Sequence, residues 1–266
     1  MRSVLLLIAC LFTASGYAYT SDASDFFNEF DFYTEEYPPY NFSDGEKVKG
    51  IAVDLLNESA KLLNTAIPEK SLKLRPWARS YRTVLSRQNT VLFSAARSAH
   101  REKLFKWVGP IASTRIVLIA RKDAKIVIHD KSEIKNYSIG VITDDIGEQL
   151  IKKKEIGADD IEYAHSSVAL ARMLEHKRID LWSYEEKVAL WAISSAGYSP
   201  KDYEVVYVLE PIELYYALNL DTSDEVVSMF QSALDQLKQN NKHSGEISFN
   251  SINHKYQSWW SQWDDE

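Results

Sequence analysis

Two short stretches of the sequence carry side chains suited to gripping a small polar molecule. In Tyr37-Pro38-Pro39-Tyr40, two prolines restrict the backbone, so a pair of aromatic rings can be held at a cleft edge with little entropy left to lose. Such rings stack on a ligand or attract its cation. A rigid surface loop packing its own tyrosines would use the same residues. In Phe93-Ser94-Ala95-Ala96-Arg97-Ser98-Ala99-His100-Arg101, exposed amides, hydroxyls and two guanidinium groups follow a buried strand. That is a setting for a carboxylate clamp, because Arg97 or Arg101 offers a bidentate fork to an anion; solvated arginines paired with surface acids are the alternative. Trp77, Arg79 and Arg82 follow Pro76 on a predicted helix, where Trp77 reads either as a cleft wall or as core.

Other chemistries lack their signatures. The sequence contains no G-x-G-x-x-G, G-x-x-x-x-G-K, G-x-S-x-G or H-E-x-x-H, which removes the usual marks of nucleotide, α/β-hydrolase and zincin sites. The six histidines, at 100, 129, 165, 176, 243 and 254, show no metal-ligand spacing, so neither metal nor cofactor is expected. With 31 basic against 38 acidic residues and a net charge of −7, the surface argues against a nucleic-acid partner, whose phosphates need Lys and Arg. A chain of 266 residues, 45% hydrophobic with only 9 Gly and 7 Pro, is an ordinary globular protein of one or two domains.

The N-terminus reads as a leader. Arg2 precedes an apolar run from Val4 to Phe12 and small residues ending in Gly16-Tyr17-Ala18, so residues 1–18 are expected to be a cleaved signal peptide. Leu7-Ile8-Ala9-Cys10 competes as a lipoprotein box, but it would leave a very short apolar region before the cysteine. Because Cys10 is the only cysteine, the chain after Ala18 has no thiol, and disulfides and Cys nucleophiles drop out. The apolar run is shorter than the about 20 residues that span a bilayer.

Periodicity supplies the elements that must position the candidate groups. Strands are expected at Phe26–Tyr33, Leu72–Leu74, Thr90–Phe93, Arg115–Arg121, Ser138–Ile142, Ile161–Tyr163, Ile179–Trp182, Tyr203–Leu209 and Leu214–Leu220. Helices are expected at Gly50–Leu63, Pro76–Ser86, Gly147–Lys154, Ser167–Lys177, Glu185–Ser195 and Asp224–Asn240. The alternation implies parallel sheets in two α/β lobes joined by strands, with ligand in the cleft at the strand ends. No internal repeat or flexible linker is evident, and Trp259, Trp260 and Trp263 near the C-terminus read at most as tail packing.

Taken together, Thr34-Glu35-Glu36-Tyr37-Pro38-Pro39-Tyr40-Asn41-Phe42 with Gly50-Ile51-Ala52-Val53-Asp54-Leu55-Leu56 resembles the N-terminal signature of periplasmic solute-binding proteins of polar amino-acid ABC importers, the family 3 type. Ser98-x-x-Arg101, Phe105-Lys106-Trp107-Val108-Gly109-Pro110 and Lys177-Arg178-Ile179-Asp180 followed by Glu185 resemble further elements, covering nearly all of the mature chain. The resemblance implies the α/β, two-lobe, type II periplasmic binding fold. Lobe 1 would span 19–116, hinge and lobe 2 117–212, and 213–266 would return to lobe 1 with a tail; the crossing strands are expected near Val117–Arg121 and Leu209–Glu213. It further implies that Tyr37 and Tyr40 stack on the ligand, Ser94 and Ser98 donate to it, Arg101 grips a carboxylate and Glu185 pairs with an ammonium. Arg97, Trp77 and Tyr184, which neighbours Glu185, join as candidate ligand-binding residues.

Two departures alter the expected ligand. Ala96 stands where many members carry a hydroxyl, and Thr143-Asp144-Asp145-Ile146 replaces a Gly-Thr-Thr-like turn that caps a ligand carboxylate. Asp144 and Asp145 suit their own helix N-terminus and repel a carboxylate, so a cationic ligand, or one without a carboxylate, is favoured, with Asp145 in the site. The expected role is capture of a small polar solute for an ABC permease or a sensor, in the periplasm, by a monomer without catalysis. Two alternatives stay open: a dehydratase-like enzyme using Glu185 or Asp145 as general acid, and an interaction module whose cleft is vestigial.

Overall fold

The computed structural model describes residues 23–153, 156, 160–239 and 248–257; the leader and Trp259, Trp260 and Trp263 lie outside them. The chain opens with α1 (Ala23–Glu29), β1 (Asp31–Thr34), β2 (Phe42–Asp44), β3 (Lys47–Lys49), α2 (Ile51–Leu62), β4 (Leu72–Leu74), α3 (Trp77–Ser86), β5 (Thr90–Ala96) and β6 (Phe105–Arg121). It continues with β7 (Ile139–Ile142), α4 (Ile146–Ile151), β8 (Ile161–Ala164), α5 (Ser167–Glu175), β9 (Leu181–Glu185), α6 (Glu186–Ser195), β10 (Tyr203–Asn219), α7 (Asp224–Gln239) and α8 (Phe249–Gln257).

The segment expected as a strand at Phe26–Tyr33 is helix first and strand only from Asp31. Aromatic residues favour strands, but Phe26 and Phe30 sit four apart, and their rings meet at 4.5 Å on one helix face. Phe27, Phe32 and Phe230 complete that cluster, which roots α1 on α7.

The two expected sheets are one sheet of eight strands, ordered β4-β1-β5-β10-β6-β9-β7-β8. The cause is the length of β6 and β10, 17 residues each, which pair antiparallel from Phe105↔Asn219 to Arg121↔Tyr203. Pro211 does not break β10 as the sequence led us to expect; the register of β10 shifts on either side of it, and bulges are where strands accommodate proline.

β10 pairs with β5 over Leu214–Leu218, and β6 pairs with β9 over Ile116–Ile119. Between these, Ser113–Arg115 and Pro211–Glu213 pair only with each other. This two-stranded ribbon lies between the two sets of pairings, and within Val117–Arg121, expected near the crossing, Val117–Ile119 also pair with β9. The first lobe packs α2, α3 and α7 on its strands, with α1 on α7 and α8 on α2 and α7; the second packs α4, α5 and α6 on β6, β7, β8 and β9. Among the described residues, no helix is long and apolar enough to cross a membrane.

Candidate functional site

Three segments carry the first lobe's share of the interlobe line. The Tyr37–Tyr40 loop is fixed because the first amides of α2 donate to it: Ile51 N–H to Pro39 O at 2.9 Å and Ala52 N–H to Tyr40 O at 2.8 Å. Gly50, at φ 129°, makes this approach feasible, since a side chain there would collide with the Tyr40 carbonyl. Asn41 ties the loop down from behind, its amide donating to Glu35 O at 2.7 Å while its oxygen accepts from the Ser94 hydroxyl. Glu35, at the carboxyl end of β1, is thereby buried beside the loop.

The second lobe contributes β9 and the turn before α4. Gly147 sits against the Ser183 carbonyl with no room for a side chain, and Ser183 donates back to Gly147 O at 3.1 Å. This packing sets Asp145, the N-cap of α4, close to Tyr184. Glu185 ends β9 and caps α6, accepting from Val188 N–H at 2.6 Å.

Glu185 is fully buried, yet it is bonded to both lobes and to the ribbon between them. Its Oε1 accepts from Tyr40 of the first lobe at 3.1 Å and from Thr114 of the connecting ribbon. Burial, only partly offset by these hydrogen bonds, raises its pKa to about 7. Burial and the neighbouring Asp145 push Glu35 well above the usual carboxylate range, and burial also raises Asp145, with Arg101 opposing.

Three tyrosines line these acids. The Tyr37 ring lies 5.7 Å from that of Tyr40 and meets Tyr184 edge-on at 5.6 Å, and Tyr184 stacks on Trp182 at 5.2 Å. Tyr184 is fully buried, and its hydroxyl has no hydrogen-bond partner among the described residues. A buried hydroxyl left so costs about 1–3 kcal/mol. Burial, with the charges of Glu35, Asp145 and Glu185, holds its pKa well above the usual phenol value.

Arg101, also fully buried, is held differently. Its Nη1 donates to Ala96 O at 3.3 Å and its Nη2 to Asp144 O, across the lobes, at 2.9 Å. Turning the Gln149 amide to present its oxygen adds contacts from Nε at 3.1 Å and Nη2 at 3.2 Å. Trp77 and Tyr81, stacked on each other at 5.9 Å, lie beside the guanidinium, each 5.2 Å from ring centre to Cζ. Asp144, at φ 63°, also accepts from Trp77 Nε1 at 2.9 Å, and its carboxylate pairs with Arg82 at 2.8 Å. Two cavities open along the same interlobe line, one of about 500 Å³ beside Tyr81, Ser98 and Gln149, the other of about 240 Å³ beside Glu35, Pro76 and Ser166.

The family model for bacterial extracellular solute-binding proteins, family 3, matches residues 32–247. The chain belongs to that family. No curated protein matches this solute-binding protein significantly, but its fold is shared by solved structures of low identity. A histidine kinase sensor domain with similarity to periplasmic binding proteins superposes with a TM-score of 0.73 at 17% identity, covering 86% of this chain and 96% of that one. A mutant of ArgBP from T. maritima gives 0.71 at 16% identity, with 86% and 96% covered. An ancestral arginine-binding protein bound to arginine gives 0.69 at 19%, with 86% and 99% covered. The architecture is therefore the two-lobe, type II periplasmic binding fold.

Of the residues singled out in the sequence of this solute-binding protein, Tyr37, Tyr40, Tyr184, Glu185, Asp145, Arg101 and Trp77 are brought together at the lobe junction. Arg97 is turned away, its fork on Glu102 at 2.7 and 2.8 Å and its face toward Trp107 and Tyr215. The Ser94 hydroxyl is spent on Asn41, and Ser98 caps the turn that carries Arg101, its carbonyl accepting from Arg101 N–H at 2.9 Å. Sequence reasoning missed Glu35, Thr114, Tyr81 and Gln149. Glu35 had a signal, since it directly follows a strand of a parallel sheet, where ligands gather; Thr114 lies within a long strand and had none.

Proposed function

We propose that this protein captures a small polar solute, an amino acid or a related cationic compound, between its lobes and presents it to an ABC permease or to a sensor. The observation that carries the reading is Glu185: a buried carboxylate on the interlobe line, bonded at once to the first lobe, the connecting ribbon and its own helix. Buried charge without an ion partner is costly, and a bound cation supplies that partner. The fold is shared with a histidine kinase sensor domain and with the substrate binding protein of an amino acid ABC transporter, which supports keeping both outlets. No bond is made or broken in this scheme, and the protein acts as a monomer in the periplasm after a leader is removed. Tyr37, Tyr40, Tyr184, Asp145 and Glu185 form the ligand-binding set, and Ser113–Arg115 with Pro211–Glu213 form the hinge.

A thermal-shift screen over amino acids, amines and small organic acids identifies the ligand, and small-angle scattering then follows closure. The expected result is a raised melting temperature with a smaller or more tightly distributed radius of gyration at saturation. A panel in which nothing shifts the melt, or a verified ligand that leaves the scattering curve unchanged, argues against a hinged clamp.

A further inference from the structure

The groups able to hold a ligand carboxylate are already bonded within the protein. Arg101 is the only buried Lys or Arg among the described residues, and its fork is spent on Ala96 O and Asp144 O, with Gln149 against its remaining edge and the stacked Trp77 and Tyr81 rings beside it. In the turn before α4, the Asp144 N–H donates to the Glu148 carboxylate, and the Gly147 N–H faces Asp145 Oδ2 at 3.5 Å. The protein's own side chains thus sit where an incoming carboxylate would have to bind. Buried acids, by contrast, are in excess: Glu35, Asp145 and Glu185 are all buried, Glu185 accepts from Tyr40, and the Tyr37 ring beside Tyr40 meets Tyr184, whose hydroxyl has no partner among the described residues.

We propose that the cleft is specific for a small organic amine that carries no carboxylate, its ammonium seated among Glu185, Asp145, Glu35 and the Tyr184 hydroxyl. An ammonium has three donors and no acceptor, which complements carboxylates and the phenol oxygen. A carboxylate brought to the same place meets three buried acids, which repel it wherever they are ionised, and the single O–H of Tyr184. Tyr37 adds a ring for the cation or its methylene stem. The 240 Å³ cavity beside Glu35 gives such a stem room to extend.

This inference rests on the binding role proposed above and is tested with matched pairs differing only in the carboxylate: agmatine against arginine, cadaverine against lysine, putrescine against ornithine. Calorimetry on the full mature chain is expected to show the amine binding at least tenfold more tightly than its amino acid in one pair or more. Amino acids binding as tightly as their amines in every pair that binds overturns the specificity while leaving the binding role intact. Binding by none of the six, with another solute from the screen binding, overturns the amine class alone; with no solute binding at all, the binding role falls with it.

Two variants read out the mechanism. Tyr184→Phe removes a hydroxyl that is unpartnered without ligand, so it should weaken the amine about five- to tenfold while the ligand-free melting temperature holds or rises; unchanged affinity would remove Tyr184 from the site. Glu148→Ala frees the Asp144 N–H and should narrow the preference for amine over amino acid severalfold. An unchanged preference rejects the internal bonding as its cause.

Discussion

Glu185→Gln should change how stability depends on pH, because it removes a buried titrating group with almost no change of shape. The Glu185 pKa is raised from 4.5 to about 7 by burial, so the folded state holds a proton that the unfolded chain has released. A carboxylate with a raised pKa destabilises the fold as pH rises: the cost is absent below about 4.5, grows between the two values and is constant above about 7. At 1.36 kcal/mol per unit, the wild type should lose roughly 2–3 kcal/mol between pH 5 and 8 through this group alone. The variant should not. For a chain of this size that is about 5–10 °C in melting temperature. The substituted glutamine can still cap α6 through its oxygen, with its amide donating to the Tyr40 and Thr114 hydroxyls, so any hydrogen-bonding offset should be nearly independent of pH. The assay is a melting series at pH 5, 6, 7 and 8 on protein stripped of ligand by unfolding and refolding. Wild-type and variant curves that run parallel across this range would refute both the burial of an ionisable Glu185 and its assignment as the group awaiting a cation.

Arg101→Ala should destabilise the protein by about 1–3 kcal/mol in denaturant titration, because it removes the guanidinium from the Ala96 carbonyl and from the Asp144 carbonyl, which keeps only Trp77 Nε1; a loss well below about 1 kcal/mol would mean that the guanidinium does not tie the lobes. Arg82→Ala breaks the Asp144 pair at the rim, where the arginine side chain is 67% exposed, and should cost less than about 1 kcal/mol. A larger loss would show the lobes to depend on that exposed contact. Affinity for a cationic ligand should rise with pH through about 7 as Glu185 ionises, and calorimetry in buffers of different ionisation heat should detect proton release on binding. Release absent at pH 6 would contradict the assignment.

Most elements could be read from the sequence because their hydrophobic spacing agrees with their burial: Ile51, Leu55 and Leu56 on α2, Tyr81 and Val84 on α3, Phe230, Leu234 and Leu237 on α7. Phe26–Phe30 failed because strand-forming residue types were weighed above their four-residue spacing. The single sheet was hidden because strand length past Gly109 and Pro211 depends on the partner strand, a long-range property. In the site, aromatic and charged types marked the Tyr37–Tyr40 loop, Arg101 and Glu185, but which partner takes each group depends on how the lobes meet. Arg101 was read as free for a ligand, and it is bonded to the Asp144 carbonyl, a contact between residues 43 positions apart. Asp144 drew notice in the sequence for its carboxylate, and its backbone carbonyl, which residue type cannot mark, receives Trp77 and Arg101 together.

The binding account rests on the buried carboxylate of Glu185 as the ligand's anchor. Titrating the tightest solute from the screen into wild type and Glu185→Gln at pH 8, by calorimetry, tests it most directly. The account predicts that the variant melts cooperatively, at or above the wild-type temperature, and binds at least tenfold more weakly. A variant that binds with wild-type affinity would contradict it.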